Sequence, residues 1–239
     1  MSSQLCRTIM AGAVAAVLGA LAACSPKPPP PPPPPPPVVV VIPPRPMPPL
    51  GAAAGFFVPP VGSDGIRQTV NAHASPAQSV WNLRSAYNVA ALNCLSAEHG
   101  EILGGYKAFL KVHKKGLAAT NKAIDAEFRQ KYGTAFVRPR EAYMTQVYNY
   151  YAFPPTLKNF CDAALVMARG SATVKPAELT AFAARNLAVL DGVFENFFRS
   201  YEQYRAAAAG WDAKYAPGAI LPPQQAQQQG GALAAPVAH

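Results

Sequence analysis

Ser75-Pro76-Ala77-Gln78-Ser79-Val80-Trp81-Asn82-Leu83-Arg84-Ser85-Ala86-Tyr87-Asn88-Val89-Ala90-Ala91-Leu92-Asn93-Cys94 opens the folded part of the chain. Ser75 reads as an N-cap, Pro76 fills the first helical position and Gln78 completes a capping box. Val80, Leu83, Tyr87, Ala90 and Cys94 then recur at steps of three and four, which puts them on one face of a helix. Four more helical patterns follow. Ile102, Tyr106, Phe109, His113, Leu117, Thr120, Ile124 and Phe128 form one long stripe closed by Gly133. Pro139 starts a third helix that runs to about Ala152 and stops at Pro154-Pro155. Leu157, Cys161, Ala164, Leu165 and Ala168 mark a short fourth, ending at Gly170. The fifth begins near Pro176 and carries Ala183, Leu187, Leu190, Phe194, Phe197, Tyr201 and Tyr204. The expectation is an all-α fold, a single bundle of about five helices over residues 75–215, with short connections.

Outward from this body the composition changes. Eighteen of the 27 prolines lie between Pro26 and Pro60, and Pro28–Pro37 is an unbroken decaproline. Proline fixes φ and removes the amide donor, so residues 24–74 read as a stiff tether in which residues 26–49 reach about 70 Å as polyproline II. Val38–Ile42 interrupts the prolines with five β-branched residues suited to a sheet edge. Residues 216–239 are rich in Pro, Gly, Gln and Ala and too poor in bulky apolar groups to offset chain entropy; disorder is expected there.

Residues 1–23 open with a short segment, Met1–Arg7, whose one charged side chain is Arg7, and continue as the apolar run Thr8–Ala20, the plan of a signal peptide. The apolar stretch ends at Ser25-Pro26, short of the ~20 residues that a membrane-spanning helix needs. Leu21-Ala22-Ala23-Cys24 resembles the lipobox of bacterial lipoproteins. The resemblance implies lipidation at Cys24, cleavage just before it and, with Ser25 rather than Asp following, an outer-membrane location. Each buried methylene contributes about 0.8 kcal/mol, so two or three acyl chains anchor firmly.

With Cys6 in the signal and Cys24 lipidated, Cys94 and Cys161 remain, each on the apolar stripe of its helix. In an oxidising compartment they are expected to pair if their Cα atoms lie within about 7 Å; two separate buried thiols are the alternative. The body also resembles a family of exported bacterial proteins, through Trp81-Asn82-Leu83-Arg84, Asn88–Cys94, Tyr148-Asn149-Tyr150-Tyr151 and Phe160-Cys161. That likeness implies a paired-cysteine helical domain and no particular chemistry.

The net charge is +9, and residues 107–140 hold nine basic side chains against Asp125 and Glu127. Lys107, Lys111, Lys114 and Lys115 share one helical face. With Arg138 and Arg140 they form a candidate anion-binding surface for peptidoglycan or lipopolysaccharide; a solvated helix face is the plain alternative. Nucleic acid suits the same pattern, but an exported lipoprotein is not expected to meet it. Tyr148 and Tyr151 are candidates for stacking on sugar rings, and helix geometry sends some of the neighbouring tyrosines into the core instead. His113 reads as a boundary histidine, and a haem held by it with Met144 or Met167 lacks any motif. Glu98-His99-Gly100-Glu101 reads as a helix junction.

No Gly-x-Ser-x-Gly, His-Glu-x-x-His, phosphate-cradling glycine loop or Cys-x-x-Cys-His occurs. No metal or cofactor is expected. The sequence thus reads as a non-enzymatic cell-envelope lipoprotein: a membrane-tethered binding or scaffolding domain whose partner is an envelope protein or, alternatively, an envelope polyanion.

Overall fold

The computed structural model of the chain describes residues 41–216 and the isolated Pro30 and Pro33. The signal, Cys24, the decaproline as a whole and residues 217–239 lie outside the described residues. Among the described residues the fold is all-α, with six α-helices: α1 (Pro76–Asn93), α2 (Glu101–Val112), α3 (Lys114–Tyr132), α4 (Val137–Tyr151), α5 (Leu157–Ser171) and α6 (Leu179–Tyr215). Among the described residues there is no strand, only an isolated antiparallel bridge between Val61 and Arg67. No helix among them is long and apolar enough to cross a membrane.

Helix α1 starts as its sequence dictates. Gln78 N–H donates to Ser75 Oγ at 3.1 Å and Ser75 N–H to Gln78 Oε1 at 3.0 Å, satisfying two of the donors that a helix start leaves open. It is the central helix and touches all five others. A helix surrounded in this way has no solvent face to keep polar. Asn82, Ser85, Ala86, Val89 and Ala91 are therefore buried alongside the expected Val80, Leu83, Tyr87 and Ala90.

The single helix expected over Ile102–Phe128 is two. The backbone breaks at His113 (φ −96°, ψ 11°), although His113 N–H still donates to Phe109 O and Leu117 N–H to His113 O. The two halves of the stripe serve different clusters. Ile102, Tyr106 and Phe109 join the main core, whereas Ile124 and Phe128 pack with Met144 in a smaller one. A bend lets one continuous apolar pattern face both. At the bend, α3 approaches the start of α6 so closely that a Cβ on Gly116 would lie 2.8 Å from Leu179 Cδ2.

Helix α6 has 37 residues, some 55 Å of helix, and extends well past the expected stripe. Its extra length is used by the segment before α1. The compact unit begins at Ile42, not at residue 75. Trp211 Nε1–H donates to Pro43 O at 2.7 Å, and Arg45 makes a two-pronged pair with Asp212 at 2.8 and 2.7 Å. The Phe56 ring lies 4.8–5.4 Å from those of Phe153, Phe197 and Tyr201. The Tyr201 hydroxyl accepts from Phe56 N–H at 3.0 Å and faces the carbonyls of Ala53 and Ala54. Residues 42–74 are thus a strap whose regular structure is limited to a 3-10 turn at Pro49–Gly51 and the Val61–Arg67 bridge, held by side chains on α6. The tether assigned from composition loses that part to the folded unit, and its proline-rich remainder lies outside the described residues apart from Pro30, Pro33 and Val41.

Candidate functional site

Lys107 and Lys111 on α2 and Lys114 and Lys115 at the start of α3 are all exposed. None of them is in an ion pair among the described residues, whereas Arg45, Arg67, Arg140, Lys158, Arg169 and Arg199 all are. The first turn of α3 has no acidic residue, and no side chain caps it. Its two lysines therefore sit at the positive end of a helix dipole, an arrangement that repels other cations and favours an approaching anion.

Position along α6 adds to this. Gly116 against Leu179 sets the bend beside the first residue of α6, while Arg45 and Pro43 are held at Asp212 and Trp211. Thirty-three helical residues separate these two ends, about 50 Å. The chain therefore enters the folded unit at one end of α6 and presents Lys114 and Lys115 at the other.

The remaining expected site residues divide. Arg138 is exposed and outside any ion pair among the described residues. Arg140 is not available to a ligand: its guanidinium binds Asp125, Glu141 at 2.6 Å and Asn121 at 2.6 Å, tying α3 to α4. Tyr151 does not stack on anything external either. It is fully buried between Phe160 and Phe194, and its hydroxyl accepts from Asn71 Nδ2 at 2.9 Å. Tyr148 is half-buried, and its hydroxyl accepts from Arg84 at 2.6 Å. Cys94 and Cys161 are joined, with Cα atoms 5.5 Å apart, linking the end of α1 to α5.

His113 lies 1% exposed against Phe109, with neither ring nitrogen hydrogen-bonded. Burial pushes its pKa down, so the ring is held neutral.

A second feature was not legible in the sequence. A cleft of about 450 Å³ opens between the strap and α6, lined by Arg67, Asn71, Tyr150, Asp191, Glu195 and Phe198. Arg67 is nearly buried and binds Glu195 at 2.6 Å, Glu202 at 2.9 Å and Pro59 O at 2.7 Å, which raises its pKa further. Asp191 accepts from Asn71 and Tyr150. Desolvation pushes its carboxyl up to about 6, outweighing those two hydrogen bonds. Asn71 also accepts from Asn82, which accepts in turn from Tyr143, so one chain of polar groups runs from the cleft to the middle of α1. Arg67, Arg199, Glu195 and Glu202 satisfy one another, whereas Asp191 has only the neutral donors Asn71 and Tyr150, and together these contacts fasten the strap. Asn71 and Asp191 carry no local motif; only their polarity within otherwise apolar surroundings marks them.

Comparison with known protein families, curated proteins and solved structures finds no match to this chain.

Proposed function

We propose that the chain is a cell-envelope lipoprotein, acylated at Cys24 and carried to the outer membrane, whose helical domain binds an envelope polyanion through Lys107, Lys111, Lys114 and Lys115. The lipobox Leu21-Ala22-Ala23-Cys24 supports the anchor. The observation that carries the binding reading is the placement of the unpaired Lys114 and Lys115 some 50 Å from the end at which the chain enters the fold, with the exposed Lys107 and Lys111 on the preceding helix. A domain held at one end meets its partner with the other, and tethering raises the local concentration of whatever lies within reach. Peptidoglycan carboxylates and lipopolysaccharide phosphates are the partners of matching charge.

The test is retention of the acylated protein on purified peptidoglycan and on lipopolysaccharide as salt rises. Screening lengths shorten from about 10 Å at 0.1 M to 3 Å at 1 M, so bound protein should elute across that range. Replacing the four lysines by Gln is expected to cut retention at least about tenfold, since each lysine near an anionic surface contributes roughly 1 kcal/mol. Retention indifferent both to salt and to these substitutions would refute the binding reading. The anchor has its own test: Cys24→Ala should accumulate as an unacylated precursor.

A further inference from the structure

We propose that Ser96, His99 and Asp162 form a hydrolytic centre for short acyl esters, an activity beyond the binding reading and independent of it. The sequence offers no enzymatic signature because the group is assembled from two parts of the chain: Ser96 and His99 follow α1, and Asp162 lies on α5. Ser96 Oγ is 2.6 Å from His99 Nδ1, and His99 Nε2 is 2.9 Å from Asp162 Oδ1. A nucleophile within reach of a base, with the base oriented by a third group, is the arrangement that activates a serine hydroxyl.

The polarity of the chain of hydrogen bonds follows from its acid end. Hydrogen bonds from His99 and Lys158 hold the Asp162 carboxyl below the usual range, so it is an ionised acceptor. An ionised Asp162 requires the proton of the neutral ring on Nε2. Nδ1 is then bare and accepts the Ser96 hydroxyl. The His99 ring is 4% exposed while Ser96 is exposed, which gives a shielded base beside an accessible nucleophile. Ser96 Oγ also reaches the exposed Glu98 Oε1 at 3.4 Å, the longer of its two hydrogen-bond contacts, and His99 Nδ1 at 2.6 Å is the closer acceptor.

The surroundings suit an ester. A groove of about 280 Å³ is lined by Leu95, Ser96, His99, Leu157, Lys158 and the Cys94–Cys161 disulfide. Its walls are mainly apolar and its volume takes a short acyl group; the Lys158 ammonium at its rim is held by Asp162 Oδ2 at 3.0 Å and helps keep that carboxylate ionised. The disulfide ends two residues before Ser96 and one before Asp162, so it fixes the spacing between the two contributing segments. A metal ion fits the same residues poorly. Glu98, His99 and Asp162 each offer one ligand atom within 4.8 Å of the others, but both imidazole nitrogens are already engaged, Nδ1 by Ser96 at 2.6 Å and Nε2 by Asp162 at 2.9 Å.

In the reaction, Ser96 Oγ attacks the ester carbonyl while its proton passes to His99 Nδ1. The bond from the carbonyl carbon to the alkoxy oxygen then breaks, and the leaving alcohol takes that proton. Water attacks the resulting acyl-serine, giving its proton to Nδ1. The Ser96–acyl bond breaks, the carboxylic acid departs and Ser96 regains its hydrogen. Ser96 and His99 are the catalytic residues, and Asp162 is a positioning residue that acts through the ring.

The experiment treats the disulfide-intact protein with a fluorophosphonate probe and with p-nitrophenyl acetate. Mass spectrometry should find one probe on Ser96, and ester hydrolysis should saturate with substrate. Ser96→Ala should abolish labelling, and His99→Gln should slow it at least tenfold; both should slow ester hydrolysis at least tenfold while keeping the wild-type circular dichroism. Asp162→Asn should shift the pH profile of hydrolysis, which a purely structural contact would leave in place. Absence of a label on Ser96 in the wild-type protein overturns the proposal whatever the variants do. Hydrolysis that survives unchanged in a folded Ser96→Ala overturns it equally.

Discussion

Asn82 is an uncharged residue on the central helix, yet three groups depend on it. Its carbonyl accepts from the Tyr143 hydroxyl at 2.8 Å, and its amide donates to Asn71 Oδ1 at 2.8 Å and to Val70 O. Being fully buried, it has no water to replace these partners. Asn82→Ala should therefore lower stability by about 2 kcal/mol, read as a fall in the urea midpoint at unchanged slope; a loss within about 0.5 kcal/mol would mean that the network relaxes around the gap. Titration adds a second residue-scale prediction. Asp191 has a folded pKa of about 6, above the 3.8 of the unfolded chain, so the folded state binds more protons between those values. Its contribution to stability is full below about pH 4 and is lost as pH rises through 6. His113 works in the opposite sense: its folded pKa lies below 6.5, and stability is lost as pH falls beneath that value. Asp191→Asn should thus become more stable relative to wild type as pH rises from 4 to 7, by about 2 kcal/mol at neutrality, as measured by thermal or urea unfolding at a series of pH values. A difference that does not change with pH would show that Asp191 titrates normally.

Among the elements, the strap is the one whose stability comes entirely from others. It has no α-helix or strand, only a 3-10 turn at Pro49–Gly51, and its hold on α6 rests on Phe56, Arg45, Arg67 and the bond from Trp211 to Pro43. Phe56→Ala, which empties the space between Phe153, Phe197 and Tyr201, is expected to cost about 2 kcal/mol, less than a fully buried Phe because its ring is only partly covered. Limited proteolysis should then cut within residues 42–74 well before any helix, and cleavage inside α1–α5 first would contradict this ordering. The same strap marks the limit of what local pattern reveals. Helix starts were legible at Ser75 and Pro76 because caps act within a few residues, and the pairing of Cys94 with Cys161 was legible because both fall on apolar stripes. Composition placed residues 42–74 with the prolines, since the partners that order them lie well over a hundred residues away. The break at His113 was hidden for a related reason: the stripe runs on unbroken, and only the existence of two clusters requires a bend. Tyr151 and Arg140 looked available because periodicity cannot say which neighbour covers a face.

For the whole molecule, the long helix and the disulfide set opposite constraints. The Cys94–Cys161 link closes a span of 67 residues, and on the chain-entropy account its reduction should lower stability by about 4 kcal/mol, visible as a drop in unfolding midpoint with dithiothreitol. That link lies among α1, α2 and α5, whereas α6 carries the strap toward its far end. The geometry that matters for the proposed binding is thus the length of α6. Spin labels at residues 45 and 114 should report a separation of about 50 Å, because one site is held at Asp212 and the other adjoins Leu179. A distance below about 30 Å would mean that α6 folds back and that the lysines and the chain entry share a face. With the longer distance, substitution of Lys114 and Lys115 should weaken retention on peptidoglycan while leaving co-flotation of the acylated protein with anionic vesicles unchanged, since the anchor and the basic end act on different surfaces. Equal losses in both assays would instead assign the lysines to the membrane that holds the anchor.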